Sequence, residues 1–448
     1  MIAVIGGGPA GRYAAMRLAR AGKEVCLAEK NRLGGQCLHY GCMVVCALND
    51  IARMVRHAES LHRMDILDDV CEIRFPQLMR SLGQVQAQIQ GVLEEETRQS
   101  GVKIMYETEG MVEGREVFLN DEAVETEGAI IATGSHPNIP EISGLERGLA
   151  FTPHTLSMMR SVPAHLGIIG GGVMAAEFAY IFSVFGSDVT IFARSTFLRD
   201  ADPFIRKMAQ KELEAVRILE GAKVSGANGE GGSIALEFEQ DGRPSTMDFD
   251  ALLIASGLRP SSECARGIEK GRMGEIVVDD RMRTRVAGVY AAGDVTGPPY
   301  LTPVARMEGI IAAENLLGND RRMDYTLIPR SISLANDIAY CDTGSKSGTI
   351  ANVSAPAPAG SGSFWHVPER YTGAGRLTLD PSTKRILGFA LVAPGGSLVA
   401  SYMNEFIRLG FSVEDLQGLM EVHPSTDGLI PLIRYASEHF KKNRNGKA

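Results

Sequence analysis

The sequence predicts an α/β protein with two Rossmann-like dinucleotide-binding modules and a carboxyl-terminal α+β domain, and three observations lead there. A short apolar strand, Ile2 to Ile5, runs into Gly6, Gly8 and Gly11 and then into a helical stretch ending at Ala21. The same grammar recurs where the strand His165 to Gly170 meets Gly170, Gly172 and Ala175, a helix, and a second strand, Asp188 to Ala193. Beyond about Asp324 the pattern changes character. Strand, glycine turn and helix in that order let a backbone approach a pyrophosphate, and repetition makes the signal far more specific than a lone glycine motif.

The elements follow in order. A second strand, Glu24 to Ala28, ends in Glu29, where an acid accepts the hydroxyls of a ribose. A helical pattern spans Pro76 to about Ser100. The segment AIIATGSHPNIP carries a strand into Thr133 and Gly134, and its prolines suit a crossing between domains near residues 138 to 148. GVYAAGDVTG, at 288 to 297, is another strand-to-glycine element, and SAPAPAGSGS at 354 to 363 reads as a loop. The expected domains are residues 1–142 with 263–323 for the first module, 143–262 for the second, and 324–448 for the carboxyl-terminal domain.

Composition sets the class. A chain of 448 residues exceeds one ordinary core and predicts two to four domains, and 44% apolar with 22% charged residues fits a globular enzyme. The net charge of −8 argues against nucleic acid as a partner. Seven cysteines without a regular framework read as reduced thiols. The amino terminus begins directly in a strand pattern, and no apolar stretch reaches the about 18 residues of a membrane span, so a cytoplasmic protein is expected, with no membrane partner.

The segment GGQCLHYGC places Cys37 and Cys42 five residues apart before a helical stretch, Met43 to Arg56. Thiols at that spacing reach disulfide distance if the chain folds back, and a helix amino terminus favours a thiolate. Spacing alone also allows two packing residues or half of a metal site. Zinc requires two further ligands beside the two cysteines, and no metal is expected.

The double glycine, the Cys-x4-Cys, ATGS, AAGD with LTPVA after it, and a late His-Pro occur in an order that resembles the class I pyridine nucleotide-disulfide oxidoreductases, the group of dihydrolipoamide dehydrogenase, glutathione reductase and mercuric reductase. The likeness runs over nearly the whole chain. It implies FAD, with Gly6, Gly8 and Gly11 at the pyrophosphate, Glu29 at the adenosine ribose, Asp294 at the ribityl or pyrophosphate end, Thr133 and Gly134 along the cofactor, and Gly110 at the adenine. Gly35 and Gly293 join that set. It also implies that Cys42 lies against the flavin as the charge-transfer thiolate, that Cys37 is the interchange thiol, and that electrons pass from nicotinamide through flavin to their disulfide.

In the second module Gly170, Gly172, Ala175 and Gly257 are expected at the nicotinamide nucleotide. Its second strand ends in Ala193 with Arg194 and Arg199 following, where an NAD-specific module carries an acid. Two guanidiniums grip a 2′-phosphate, so NADPH is expected, with NADH and two solvated surface arginines as the alternatives.

Three departures from the family stand out. The resemblance places a proton-shuttling histidine at His423, from the partner subunit of a homodimer, but the acid that orients it is replaced by Gly428, with Asp427 the nearest carboxylate. His423 also reads as a helix-cap residue. The Pro-Ser-Lys one turn past Cys42 reads Val44, Val45, Cys46, which removes the lysine that pairs with the glutamate matched by Glu177 and places a third thiol on the face of Cys42, for chemistry or for packing. Val173 stands where some relatives have an aromatic gate.

The expected function is an FAD enzyme using NADPH to reduce a small-molecule or protein disulfide, or another thiol-reactive acceptor, through Cys37 and Cys42. The alternatives are a specialised member acting on a metal ion, a quinone or a coenzyme M-type thioether, and a flavin-based redox sensor with vestigial catalysis.

Overall fold

The computed structural model describes residues 1–69, 72–145, 150–230, 233–342, 351–356, 373–420 and 429–445. In chain order its helices are α1 (Pro9–Arg20), α2 (Gly35–His39), α3 (Cys42–His62), α4 (Phe75–Gln99), α5 (Val173–Val184), α6 (Pro203–Glu212), α7 (Thr302–Leu316), α8 (Gly396–Arg408) and α9 (Leu429–Asn445).

Five parallel strands form the first sheet, in the order Val289–Ala291, Gly128–Ile131, Ile2–Ile5, Val25–Glu29, Lys103–Tyr106. Ile2–Ile5 and Gly128–Ile131 are buried throughout, which is why both read as continuous apolar runs. Pro9 opens α1, whose buried Ala10, Ala14, Ala15 and Leu18 pack on this sheet. The second sheet repeats the plan in the order Arg217–Glu220, Asp188–Ala193, His165–Ile169, Ala251–Ile254, Ala150–Phe151. A three-stranded antiparallel meander, Lys223–Glu230, Ser233–Gln240 and Arg243–Phe249, fills the connection from Glu220 to Ala251. The chain passes between the modules through Ser135–Pro137 and returns through Leu258–Pro260, and these two strands pair antiparallel.

The carboxyl-terminal sheet is antiparallel, in the order Arg330–Ser333, Asp337–Asp342, Ile386–Ala393, Ala374–Leu379, Ala351–Pro356. Val399, Met403 and Ile407 of α8 and Leu429, Ile433 and Ala436 of α9 join its buried core. The loop expected at 354 to 363 is corrected at its start: Ser354, Ala355 and Pro356 end the edge strand Ala351–Pro356, paired with Arg376, Gly375 and Ala374. Proline is tolerated there because an edge strand leaves one row of N–H groups without a ladder partner. The helix expected over Met43 to Arg56 runs from Cys42 to His62. One core unites Val44, Val45, Leu48 and Ala52 of α3 with Phe178 and Phe182 of α5, so the helix that follows the cysteines is packed on the second module. Among the described residues no helix is long and apolar enough to cross a membrane.

Candidate active site

A short helix and a long one in succession present the cysteines. Cys37 lies in α2, and Cys42 is the first residue of α3, where the unsatisfied N–H groups of a long helix favour negative charge. Gly34 (φ +101°) and Gly35 (φ +58°) enter α2 through the left-handed region. A side chain at Gly35 would place its Cβ 2.9 Å from the Gly8 Cα, so this glycine lets the cysteine turn close on the first glycine turn. Both thiols are unbridged, and they hydrogen-bond to each other. That bond holds Cys42 down to about 6, with help from the Thr302 hydroxyl 3.5 Å from its sulfur and against the effect of burial. Cys37 keeps the shared proton, and the bond to Cys42 together with burial pushes it well above the ordinary thiol range.

Both cysteines face a cavity of about 670 Å³, within the usual range of cofactor sites, whose wall also includes Gly6, Gly8, Glu29, Gly35, Gly110, Thr133, Gly134, Gly293 and Asp294. Three features of this wall suit FAD. Gly8 caps α1, whose first turn has neither an acid nor a side-chain cap, so its amide groups suit a pyrophosphate. The Glu29 oxygens accept from the Gly7 and Asn31 amides, both at 2.7 Å, and a carboxylate so oriented retains lone pairs for ribose hydroxyls. The buried Tyr300 hydroxyl on the same wall has no hydrogen-bond partner among the described residues. With these groups holding it, FAD would supply two-electron transfer between a nicotinamide and the dithiol.

Not every expected residue faces this cavity. Gly11 does not, and its need for glycine is steric: a Cβ there would fall 1.9 Å from the Gly6 carbonyl oxygen, so it lets α1 pack close to the strand. Gly110 is likewise required by the Ile5 side chain, 2.7 Å from where its Cβ would stand. The Thr133 hydroxyl donates to the Ser261 carbonyl at 2.6 Å, tying the two crossing segments together. Asp294 accepts from Ser135 at 2.7 Å, and burial raises it above the usual carboxylate range. The Gly293 amide is held by the buried Glu308 at 2.7 Å, and Glu308 also accepts from the Tyr325 hydroxyl.

In the second module Gly172 caps α5, again with no acid in the first turn, while Ala175 is fully buried against the sheet. Gly170 (φ +142°) sits so close to Ala255 that a Cβ would meet its carbonyl oxygen at 2.1 Å. Arg194 and Arg199 are exposed beyond the strand end, Arg199 at 3.4 Å from its neighbour Asp200. Gly257 lines a small recess with Gly41, Tyr40, His154 and Met174, between the cysteine turn and the second module.

Glu177 projects from α5 and accepts the Ser333 amide at 3.0 Å. Burial pushes it up to about 8, with the Cys42 and Asp337 charges adding and Arg53 opposing. The Arg53 guanidinium is itself engaged by the Leu334 carbonyl at 2.7 Å and Asp337 at 2.8 Å. Cys46, one turn past Cys42, is raised by burial and then by the Cys42 and Glu177 charges. Val173 is part-exposed at the start of α5. His423, Asp427 and Gly428 lie outside the described residues.

The structure adds Thr302, Ser135, Gln36 and His154 to the cavity wall. Thr302, Ser135 and Gln36 lie in LTPVA, ATGS and GGQCLHYGC, segments already prominent in the sequence, whereas nothing in the local pattern marks His154.

Residues 1–309 match the family described as pyridine nucleotide-disulphide oxidoreductase. The dihydrolipoyl dehydrogenase of Geobacillus stearothermophilus is 28% identical over 94% of this chain and 93% of its own length. A mercuric reductase of Lysinibacillus sphaericus is 27% identical over 92% of this chain and 78% of its own. The Cu(II) complex of the HOCl-induced flavoprotein disulfide reductase RclA from Escherichia coli superposes with a TM-score of 0.83 at 25% identity, covering 95% and 97% of the two chains.

Proposed function

This chain belongs to the pyridine nucleotide-disulphide oxidoreductase family, and from that premise we propose that it uses NADPH to reduce a disulfide through Cys37 and Cys42, with bound FAD as the electron carrier between them. The observation that carries the reading is the hydrogen-bonded thiol pair on the wall of the same cavity as Gly6, Gly8, Glu29 and Asp294.

The dithiol chemistry balances as follows. Cys37, once deprotonated, attacks one sulfur of the acceptor disulfide, which leaves a mixed disulfide and expels the first thiolate. The Cys42 thiolate then attacks the Cys37 sulfur, expelling the second thiolate and closing the Cys37–Cys42 disulfide, so two electrons have reached the acceptor. Cys37 is the thiol that needs a base, because its proton is held by the bond to Cys42. We assign that base to His423 from the second subunit of a homodimer, with Asp427 as its nearest acid. Arg194 and Arg199 are the residues assigned to the 2′-phosphate of NADPH.

The test is an anaerobic titration of the purified flavoprotein with NADPH, and separately with NADH. A long-wavelength absorption band at two electrons per flavin, absent in Cys42→Ser, supports the dithiol relay; bleaching of the flavin without the band argues against it. A second reading, reduction of a thiophilic metal ion at the same dithiol, draws on the likeness to mercuric reductase and to the Cu(II) complex of RclA, and on Cys46 beside Cys42. Turnover with Cu(II) or Hg(II) but with no disulfide would favour it.

A further inference from the structure

His154 enters the cysteine turn from the second module. It follows the edge strand Ala150–Phe151 of that module's sheet, and its own turn is fixed by the Thr152 amide donating to the Thr155 hydroxyl at 2.9 Å. From there the half-buried imidazole makes two contacts with the loop between the thiols and the residue before it. Its Nε2 lies 2.9 Å from the Gln36 Oε1, and its ring stacks on Tyr40 with centroids 4.2 Å apart and planes 25° from parallel. Gln36 precedes Cys37, and Tyr40 lies between Cys37 and Cys42, so one side chain grips the turn on both sides of the interchange thiol.

The hydrogen bonds run in one direction. Asp294 as a carboxylate only accepts, so the Ser135 hydroxyl donates to it at 2.7 Å. Ser135 therefore accepts from the Gln36 Nε2, at 3.4 Å, which turns the Gln36 Oε1 towards His154 and makes the His154 Nε2 the protonated nitrogen. Burial, and then the neighbouring His136, favour the neutral ring. A neutral imidazole with its proton on Nε2 satisfies the Gln36 oxygen without adding a charge near the thiols.

We propose that His154 is a positioning residue for the dithiol: by its bond to Gln36 and its stack on Tyr40 it holds the Gln36–Gly41 turn so that the Cys37 thiol stays on the Cys42 sulfur. The role rests on the reading of Cys37 and Cys42 as the working pair. It also ties the cysteine turn to the second module, since the strand that carries His154 pairs with Ala251–Ile254 beside His165–Ile169.

The two contacts separate by substitution. His154→Phe keeps a ring for the stack and loses the donor, while His154→Gln keeps an N–H at similar reach and loses the ring. The readout is iodoacetamide trapping of Cys37 in the dithiothreitol-reduced holoenzyme, followed peptide by peptide, with flavin content recorded for every variant. Loss of one hydrogen bond to the part-buried Gln36 amide oxygen predicts about fivefold faster trapping of Cys37 in His154→Phe, with His154→Gln within about twofold of wild type. Wild-type trapping in both variants and in His154→Ala overturns the proposal, as does equal acceleration in His154→Phe and His154→Gln accompanied by loss of flavin, which marks a merely structural side chain. Trapping needs no NADPH turnover, so a wild-type protein without the long-wavelength band would count against the proposed reaction and leave the His154 result to be read by itself.

Discussion

The Cys37 thiol bonds to the Cys42 sulfur, and that bond lowers the pKa of Cys42 and raises that of Cys37. Cys42 is the first residue of α3 and has the Thr302 hydroxyl 3.5 Å from its sulfur, whereas Cys37, which Thr302 and Arg306 also favour as an anion, is raised more strongly by its bond to Cys42 and by burial.

In the reduced enzyme the long-wavelength band is expected to appear as pH rises through about 6, because Cys42 ionises there and only the thiolate donates to a flavin. Thr302→Val removes a hydrogen bond to the anion and moves the midpoint upward, by about half a unit to one unit. Spectral titration from pH 5 to 9 reads both, and an unshifted midpoint in the variant would place Thr302 outside the thiolate's environment.

Glu177, pushed up to about 8 by burial, is a neutral acid below that pH and a carboxylate above it. Flavin reduction by NADPH in stopped flow is expected to show a break near pH 8 in the wild type. Glu177→Gln, which imitates the neutral form, keeps the low-pH rate and loses the break. A break that persists in the variant assigns it to another group.

Arg194→Ala and Arg199→Ala are each expected to raise KM for NADPH about tenfold, the worth of one hydrogen bond to a charged group, with KM for NADH nearly unchanged. Steady-state kinetics with both nucleotides decides between phosphate recognition and two solvated arginines. Parallel changes for both nucleotides would rule out a 2′-phosphate contact.

Gly11→Ala places a methyl group 1.9 Å from the Gly6 carbonyl oxygen, a backbone atom that cannot swing aside. The strand and α1 must separate, at a cost of about 2 kcal/mol or more, and FAD retention should fall with stability. Flavin content after gel filtration and a thermal melt together report it; an unchanged melt with normal flavin would show that the turn relaxes.

Much of this arrangement is legible along the chain. The two strand, glycine turn and helix units are local, so Gly6, Gly8, Gly170 and Gly172 announce themselves by spacing, and both parallel sheets follow from the apolar runs they join. The start of SAPAPAGSGS was not legible, because the pairing of Ser354 to Pro356 with Ala374 to Arg376 depends on a neighbour 18 to 22 residues away. Glu177 was visible only through likeness, since its carboxyl meets the Ser333 amide, 156 residues away in the chain. Gln36 and His154, 118 residues apart, meet only when the second module folds against the first.

By itself the sequence determined the family, the two nucleotide-binding modules and the thiol pair, because glycine turns, strand ends and Cys-x4-Cys are short-range patterns whose chemistry depends on residues a few positions apart. The tertiary structure decided the surroundings of those residues. It set which thiol keeps the proton, how far burial raises Glu177, and which side chains hold the cysteine turn. Proton affinity and hydrogen-bond direction depend on desolvation and on partners brought in from distant segments, and neither is encoded in any local stretch of chain.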